Sequence, residues 1–421
     1  MKLLKRILIF TLPILVSSTA CQKSDDGSRL DKQYAKEIKL SKSQKQVLSG
    51  LNDFGLDLFG RLCKENGYEN TALSPFSIES ALLLAMAGEN ESSDNYREMA
   101  EAIRQKSTKR DNLLASYNTL INEIGAIDNS VNVTVANSVW SNTDLVPGGF
   151  SSSFSQRISD NLQADVNAIS FSKDDAKTMV NEWIFNKTHG KIKEMLSNAP
   201  DGYSILSNAI FMDGNWKYRF LRTGQQKDFY NHDSSITEVE TMTLNYDLWA
   251  RETDAYKACM FPLGKNFAVT VILPKQSIDK LVSSFDGDAW ESLCANWQGY
   301  HVWANIPPFK EEFSTDGAQL KPVLNDMGMI KAFSDRSFTE MFNNHVTGSI
   351  SNILHKASID FNDKGTTAAA STVIMLDGAM GPTPGSPLNV MRFDVYSPFL
   401  YIYHETSTNT ILFAGIKSRM E

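Results

Sequence analysis

The sequence is poor in the residues that build disulfide frameworks, metal centres and enzyme active sites. Its 421 residues include only four cysteines and six histidines. With Cys21 set aside, the remaining Cys63, Cys259 and Cys294 cannot all pair, so no disulfide framework is expected, although one bridge stays open. No zinc-type spacing, nucleophile elbow, Walker loop or dinucleotide fingerprint is present. These absences disfavour a metalloprotein, a cofactor-dependent protein and an enzyme.

The chain also lacks a positive charge balance and a long apolar run. Acidic residues outnumber basic ones, 49 to 41, and the resulting net charge of −8 disfavours a nucleic-acid partner. The N-terminal apolar stretch, residues 7–16, is too short to cross a bilayer. Acidic residues interrupt the most basic stretch, which is predicted to be a solvated face; its members are Arg104, Lys106, Lys109 and Arg110.

The N-terminal features predict an export signal followed by a lipid anchor. Basic residues precede the apolar stretch, and small residues at 17–20 lead into Cys21. This order resembles a bacterial lipoprotein signal, which implies a signal peptide over residues 1–20, acylation of Cys21 and a flexible tether over residues 21–42. The polar, acidic residues after Cys21 resemble the tag that sends some lipoproteins to the surface of the outer membrane. The alternative is a plain secretory signal with an incidental cysteine, and therefore a periplasmic or secreted protein.

Residues 43–421 are predicted to form a single domain of mixed helices and strands. They contain no repeat, no linker rich in Gly and Ser, and no change of composition until about residue 377. Because the helices and strands do not alternate regularly, the fold class is predicted to be α+β. Helical spacing covers residues 44–64, 77–87 and 174–188. Strand patterns cover residues 131–139, 267–273, 399–403 and 411–416, the last two as a hairpin.

The most informative segment is Lys-Gly-Thr-Thr-Ala-Ala-Ala-Ser-Thr-Val at residues 364–373. A permanent strand would carry larger residues, and a permanent helix would not favour the threonines. On a strand, the even-numbered residues would share one face and the odd-numbered residues the other. The pattern suits a segment that is a loop in one state and an inserted strand in another. A low-complexity linker is the plain alternative.

A second unusual segment follows directly. Residues 377–389 contain three prolines and three glycines, which exclude a helix or a central strand. An exposed, extended loop is therefore predicted between the small-residue segment and the terminal hairpin.

Six motifs, from about residue 44 to the end, resemble those of the serpin family of protease inhibitors. No single motif is decisive, but six in this order and spacing are highly specific. They are NTALSPFSI at 70–78, VANSV at 135–139, NEWI and KTHGKI within 181–192, LSNAIFMDGNW at 206–216, SNILHKA at 351–357, and SPFLYI with NTILFAGI within 397–416.

The resemblance implies a fold of three β-sheets and eight or nine helices, with an exposed reactive-centre loop over about residues 363–394. It also implies a suicide-substrate mechanism. A protease cleaves the loop and becomes bound as an acyl-enzyme through its serine or cysteine, and the freed loop inserts into the main sheet as a new strand. The implied partner is that protease, the chain is expected to be a monomer, and no cofactor or metal is implied.

The resemblance also assigns roles to individual residues. Trp216 lies where the loop first enters the sheet. Asp363 stands where the family usually has Glu, and Pro308 where many members carry a basic residue, which leaves the ion-pair partner of Asp363 open. A polar cluster beneath the opening of the sheet, here called the shutter, comprises Ser74, Ser77, Asn208 and His355. The hinge comprises Asp363, Gly365, Thr366, Thr367, Ala368, Ala369, Ala370, Ser371 and Thr372.

Family spacing also predicts the cleaved bond and the class of target. About fourteen residues separate Gly365 from the residue before the cut, which gives Ala379 followed by Met380; if the register slips, Met375 and Leu376 are the alternatives. No Lys or Arg lies between Gly365 and Met391. A trypsin-like pocket holds a buried carboxylate that needs a basic partner, so elastase-like or chymotrypsin-like targets are favoured. A serpin-fold protein that binds or stores a ligand without inhibiting is the alternative, but such members often lose the small hinge residues.

Overall fold

The structure is a computed structural model, and it describes residues 36–172, 175–315, 319–334, 337–350, 353, 355–365 and 389–421. The helices in this part of the chain are α1 (Lys42–Glu65), α2 (Pro75–Ala87), α3 (Asp94–Ala102), α4 (Arg110–Ala126), α5 (Ser152–Leu162), α6 (Asp175–Lys187), α7 (Ile278–Ser284), α8 (Gly287–Ala295), α9 (Leu320–Asp326) and α10 (Lys331–Ser334). The strands are β1 (Thr71–Leu73), β2 (Val131–Asn142), β3 (Ala164–Ile169), β4 (Ser204–Gly214), β5 (Leu221–Tyr230), β6 (Ile236–Glu252), β7 (Tyr256–Leu263), β8 (Phe267–Pro274), β9 (Gln298–Ile306), β10 (Phe309–Thr315), β11 (His355–Phe361), β12 (Asn389–Asp394), β13 (Phe399–Glu405) and β14 (Thr410–Lys417).

The α+β class and the three sheets are confirmed. The described residues contain ten α-helices where eight or nine were expected, and the difference lies in short segments, since α10 has only four residues. None of the described helices combines the length and the apolar character needed to cross a membrane.

Two of the predicted helices begin slightly earlier than their apolar patterns, because polar residues cap them. Ser41 and Gln44 form a capping box: the Gln44 N–H donates to Ser41 Oγ and the Ser41 N–H to Gln44 Oε1. Ser74 caps α2, and Pro75 occupies its first position, where a missing N–H costs nothing. Before α1, the side chain of Ile38 is buried, so packing on the domain begins within the predicted tether.

The largest sheet has nine strands in the order β1-β14-β13-β8-β7-β6-β9-β12, with β5 paired to β6. The predicted terminal hairpin is confirmed as β13 and β14, which pair antiparallel with Leu400 opposite Ile416. β13 also pairs with β8, and all of its residues are buried. β12 pairs in parallel with β9, so the last six residues of the predicted loop range form a strand.

The two smaller sheets leave a space between them. One has the order β3-β2-β4, and the other consists of β10 and β11. Within the described residues no ladder joins β4 to β11, and we call the space between these strands the gap. On β4 the even-numbered Leu206 and Ile210 pack with the main core, whereas the odd-numbered Ala209 packs against Ile184 of α6. The even-numbered positions of β4 therefore face inward.

Candidate functional site

The chain reverses direction at the end of β11, at the start of the predicted hinge. The Asn362 N–H donates to the carbonyl of Gly365 (3.1 Å), which leaves Asp363 and Lys364 as the turn. Asn362 Oδ1 accepts from the backbone N–H groups of Lys364 (2.9 Å) and Gly365 (3.3 Å). Gly365 then pairs antiparallel with Asn215, directly after β4. The hinge thus begins as a hairpin that points into the gap.

The reason for glycine at position 365 differs from the one expected. Conformational freedom at the bend was predicted, but the structure requires glycine because two backbones approach closely. A Cβ added to Gly365 would lie 1.9 Å from the carbonyl oxygen of Gly214. Any side chain at this position would therefore push the hinge away from β4.

Trp216 holds the turn from the β4 side. Its indole Nε1–H donates to the carbonyl of Asn362 (2.7 Å), and its backbone N–H donates to the carbonyl of Lys364 (3.1 Å). The ring is buried and packs against Phe361, with 4.9 Å between ring centroids. Its predicted position, where the loop meets the sheet, agrees with these contacts.

The ion-pair partner of Asp363, which the sequence left open, is a pair of arginines. Arg222 Nε lies 2.8 Å from Asp363 Oδ1, and Arg219 Nη2 lies 3.3 Å from Oδ2. Arg222 also reaches Glu240 on β6, at 3.0 Å. Partial burial alone would raise the pKa of Asp363, but the hydrogen bonds from Arg222 and Arg219 outweigh it and hold that pKa below its usual value.

Both arginines were missed from the sequence. They lie just after Trp216, but more than 140 residues before Asp363, and no local pattern links the two segments. Their proximity to Trp216, itself assigned to the entry point, was the only available signal.

The shutter residues come together in two hydrogen-bonded groups. In the first, the backbone N–H of Ser74 donates to His355 Nε2 (3.0 Å), and Ser74 Oγ accepts from the Ser77 N–H (3.1 Å). In the second, Asn208 Nδ2 donates to Asn137 Oδ1 (2.7 Å). Ser80 and Asn137, which were not singled out from the sequence, complete the second group through a 2.8 Å bond. Burial lowers the pKa of His355 to about 4, so the ring is neutral.

Several predicted site residues lie outside the described residues. These are the hinge residues from Thr366 to Thr372, the predicted cleavage residues Ala379 and Met380 with the alternatives Met375 and Leu376, and the predicted lipidation site Cys21.

The other candidate sites take a structural role where the chain is described. Cys63, Cys259 and Cys294 are free, and burial raises the pKa of each thiol. Within the described ranges no group of three His, Cys, Asp or Glu side chains could hold a metal ion. The basic stretch is paired with acids: Arg104 with Asp53 and Asp57, Lys106 with Glu101, and Arg110 with Glu340.

Comparison with known proteins agrees with this geometry. The family model described as Serpin (serine protease inhibitor) matches residues 49–419. The chain belongs to the serpin family. Intracellular coagulation inhibitor 2 of Tachypleus tridentatus is 26% identical over 416 residues, covering 96% of each chain. Iripin-1 of Ixodes ricinus is 26% identical and covers 86% of this chain and 92% of its own.

Solved structures show the same fold. The thermophilic serpin tengpin in its native state superposes with a TM-score of 0.78 at 24% identity, covering 91% of this chain and 96% of its own. This serpin is accordingly a protease inhibitor by family and not an enzyme.

Proposed function

We propose that this serpin is an irreversible suicide-substrate inhibitor of serine proteases, whose cleaved loop inserts into the gap between β4 and β11. The observation that carries the proposal is the hinge hairpin. It directs the chain into a space bordered by two strands, each of which is hydrogen-bonded on one side only among the described residues. A strand placed there would pair with both unpaired edges.

The chemistry requires only one covalent step from the protease. Its serine oxygen attacks the carbonyl carbon before the cut, the peptide bond breaks, and the C-terminal part leaves as an amine, which yields an acyl-enzyme. Insertion then carries the acylated residue away from the hinge. If this displacement distorts the protease before water reaches the ester, the complex stays covalent.

An elastase-like target fits the loop best, with a chymotrypsin-like one second. The proposed cut between Ala379 and Met380, or at Met375 or Leu376, presents a small or medium apolar side chain. Such a side chain would leave the carboxylate of a trypsin-like pocket unpaired.

A direct test is to incubate the protein with pancreatic elastase and, separately, with trypsin, and to look for complexes that survive SDS. We expect a stable complex with elastase, and mass spectrometry of the released C-terminal peptide would locate the cut. Cleavage without any complex, and without a gain in thermal stability, would contradict inhibition. Efficient trapping of trypsin by a cut in residues 365–391 would contradict the target class.

We further propose that the protein is a bacterial lipoprotein, anchored through Cys21 to the outer membrane and exposed at the cell surface. Cys21→Ser should prevent acylation and move the protein from the membrane fraction to the soluble fraction. A wild-type protein that is already soluble in the periplasm or medium would contradict the anchor.

A further inference from the structure

Two strand registers meet at the hinge hairpin, and together they fix where each loop residue would lie in the gap. Gly365 pairs with Asn215 on the β4 side and with Asn362 on the β11 side. In an antiparallel pair, each step forward on one strand is a step back on its partner. Thr372, seven residues after Gly365, therefore falls opposite Asn208, seven before Asn215, and opposite His355, seven before Asn362.

These two partners each carry a buried polar atom without a hydrogen bond in the described residues: Asn208 Oδ1 and His355 Nδ1. Asn208 uses its Nδ2 on Asn137, so its remaining need is for a donor. His355 Nε2 accepts from the Ser74 N–H, so the neutral ring carries its proton on Nδ1 and needs an acceptor. One hydroxyl group can both donate and accept.

We propose that the hydroxyl of Thr372 completes the shutter when the loop inserts, donating to Asn208 Oδ1 and accepting from His355 Nδ1–H. This inference rests on the proposed insertion and deepens it, because it names the residue that joins the loop to both bordering strands. Directly opposed residues of neighbouring strands point to the same face. Asn208 and His355 are both buried, so Thr372 would face inward with them.

The same registers place the next inward residue in an apolar cavity. Ile374 falls opposite Leu206 and Ile353, two of the residues that line a cavity at the lower end of the gap; Leu82, Met341 and Phe342 are others. The eleven residues 366–376 match the eleven residues of β4 from Gly214 back to Ser204. Insertion would therefore end at Leu376 and leave the proline-rich residues outside the sheet, where proline is tolerated.

The inference can be tested without a protease, which separates it from the inhibitory function. The probe is a synthetic peptide of residues 366–376, labelled and added to the intact protein, with binding measured by native gel shift and by the rise in Tm. Thr372→Val in the peptide should weaken binding about tenfold, since the two polar atoms stay unpaired. Thr372→Ser keeps the hydroxyl and should bind within a few-fold of the wild-type peptide. Thr367→Val, on the opposite face, is the matched control and should not weaken binding.

Equal binding of the wild-type and Thr372→Val peptides would overturn the role of Thr372. No binding of the wild-type peptide would overturn the register itself. The same substitutions in the full chain give a second readout, the Tm after cleavage of the loop, which Thr372→Val should lower and Thr372→Ser should preserve. If the peptide results hold but no protease is trapped, the inserted-strand geometry stands and the inhibitory function falls.

Discussion

Two long strands of this serpin, β13 and β4, differ in how completely they are paired. β13 lies between β8 and β14 and is hydrogen-bonded along both edges. β4 is paired along its edge with β2, and the described residues provide no ladder on its other edge. The comparison separates a part of the fold that is complete from a part that can still accept a strand.

The buried polar groups near the two strands differ in the same way. At the end of β13, the carboxylate of Glu405 accepts four hydrogen bonds, from the backbone N–H and hydroxyl groups of Ser407 and Thr408. Next to the gap, Asn208 Oδ1 and His355 Nδ1 accept or donate none among the described residues. Unpaired buried atoms cost stability, so their position marks where the native state stands to gain from a structural change.

The largest expected effect comes from a charge on the inward face of the inserting segment. Ala370→Glu would bury an unpaired carboxylate opposite Ile210, at a cost of several kcal/mol. We expect normal cleavage by elastase but almost no SDS-stable complex. Thr366→Arg, on the same face, should behave alike.

Ser386→Glu is the matched control for this experiment, because it places the same charge in the proline-rich part of the loop. It should leave the yield of complex unchanged. An undiminished yield for Ala370→Glu would refute insertion into the gap.

A substitution in β13 should affect every state equally. Ile402 is fully buried, and Ile402→Ala should destabilise the protein by about 2–5 kcal/mol. Because β13 is complete before and after insertion, the Tm of the native and of the cleaved protein should both fall. A loss confined to one form would break the contrast between the two strands.

The shutter should make stability depend on pH. Burial lowers the pKa of His355 from 6.5 to about 4, so the unfolded state binds its proton first as the pH falls. The stabilisation is fully present above pH 6.5 and is lost progressively towards pH 4, by about 3 kcal/mol at most.

Urea unfolding of wild type and His355→Gln between pH 4 and 7 checks this contribution. His404, whose pKa burial lowers to about 3, adds its own pH dependence to both proteins, so the difference between the two curves is the quantity to compare. Parallel curves would contradict the contribution of His355.

The smallest effect should come from the arginines that hold the hinge turn. Asp363→Ala removes both ion pairs, but the side chains of Arg219 and Arg222 are 48% and 44% exposed, so the loss should be about 0.5–1 kcal/mol. A turn held less firmly would insert more slowly relative to hydrolysis, and the number of inhibitor molecules consumed per protease should rise about two- to fivefold. Asp233→Ala breaks an exposed ion pair with Arg419 and should change nothing.

Local patterns predicted much of this fold. The apolar spacing of α1, the alternation in β2 and the terminal hairpin follow from side-chain periodicity, which each segment carries by itself. The shutter and Trp216 were located only because their motifs resemble those of a family. Neither periodicity nor composition places Ser74 beside His355, which is 281 residues away.

The parts that sequence did not predict are contacts between distant segments. The arginine partners of Asp363 depend on how β5 packs beside the hinge, and the second shutter group depends on the pairing of Asn137 with Asn208 across β2 and β4. Even the role of Gly365 was misjudged, because its need for a small residue comes from a neighbouring backbone and not from its own conformation.

The position of β13 and β14 also has a consequence for the order in which the protein is made. These last strands of the chain occupy the interior of the nine-stranded sheet, and β1, from near the other end of the chain, pairs only with β14. A ribosome releases them last, so the sheet cannot close while the chain is being synthesised. The nascent protein must wait, with its earlier strands unsealed, until its final residues emerge, and a truncation that removes only the terminal hairpin would cost the whole sheet.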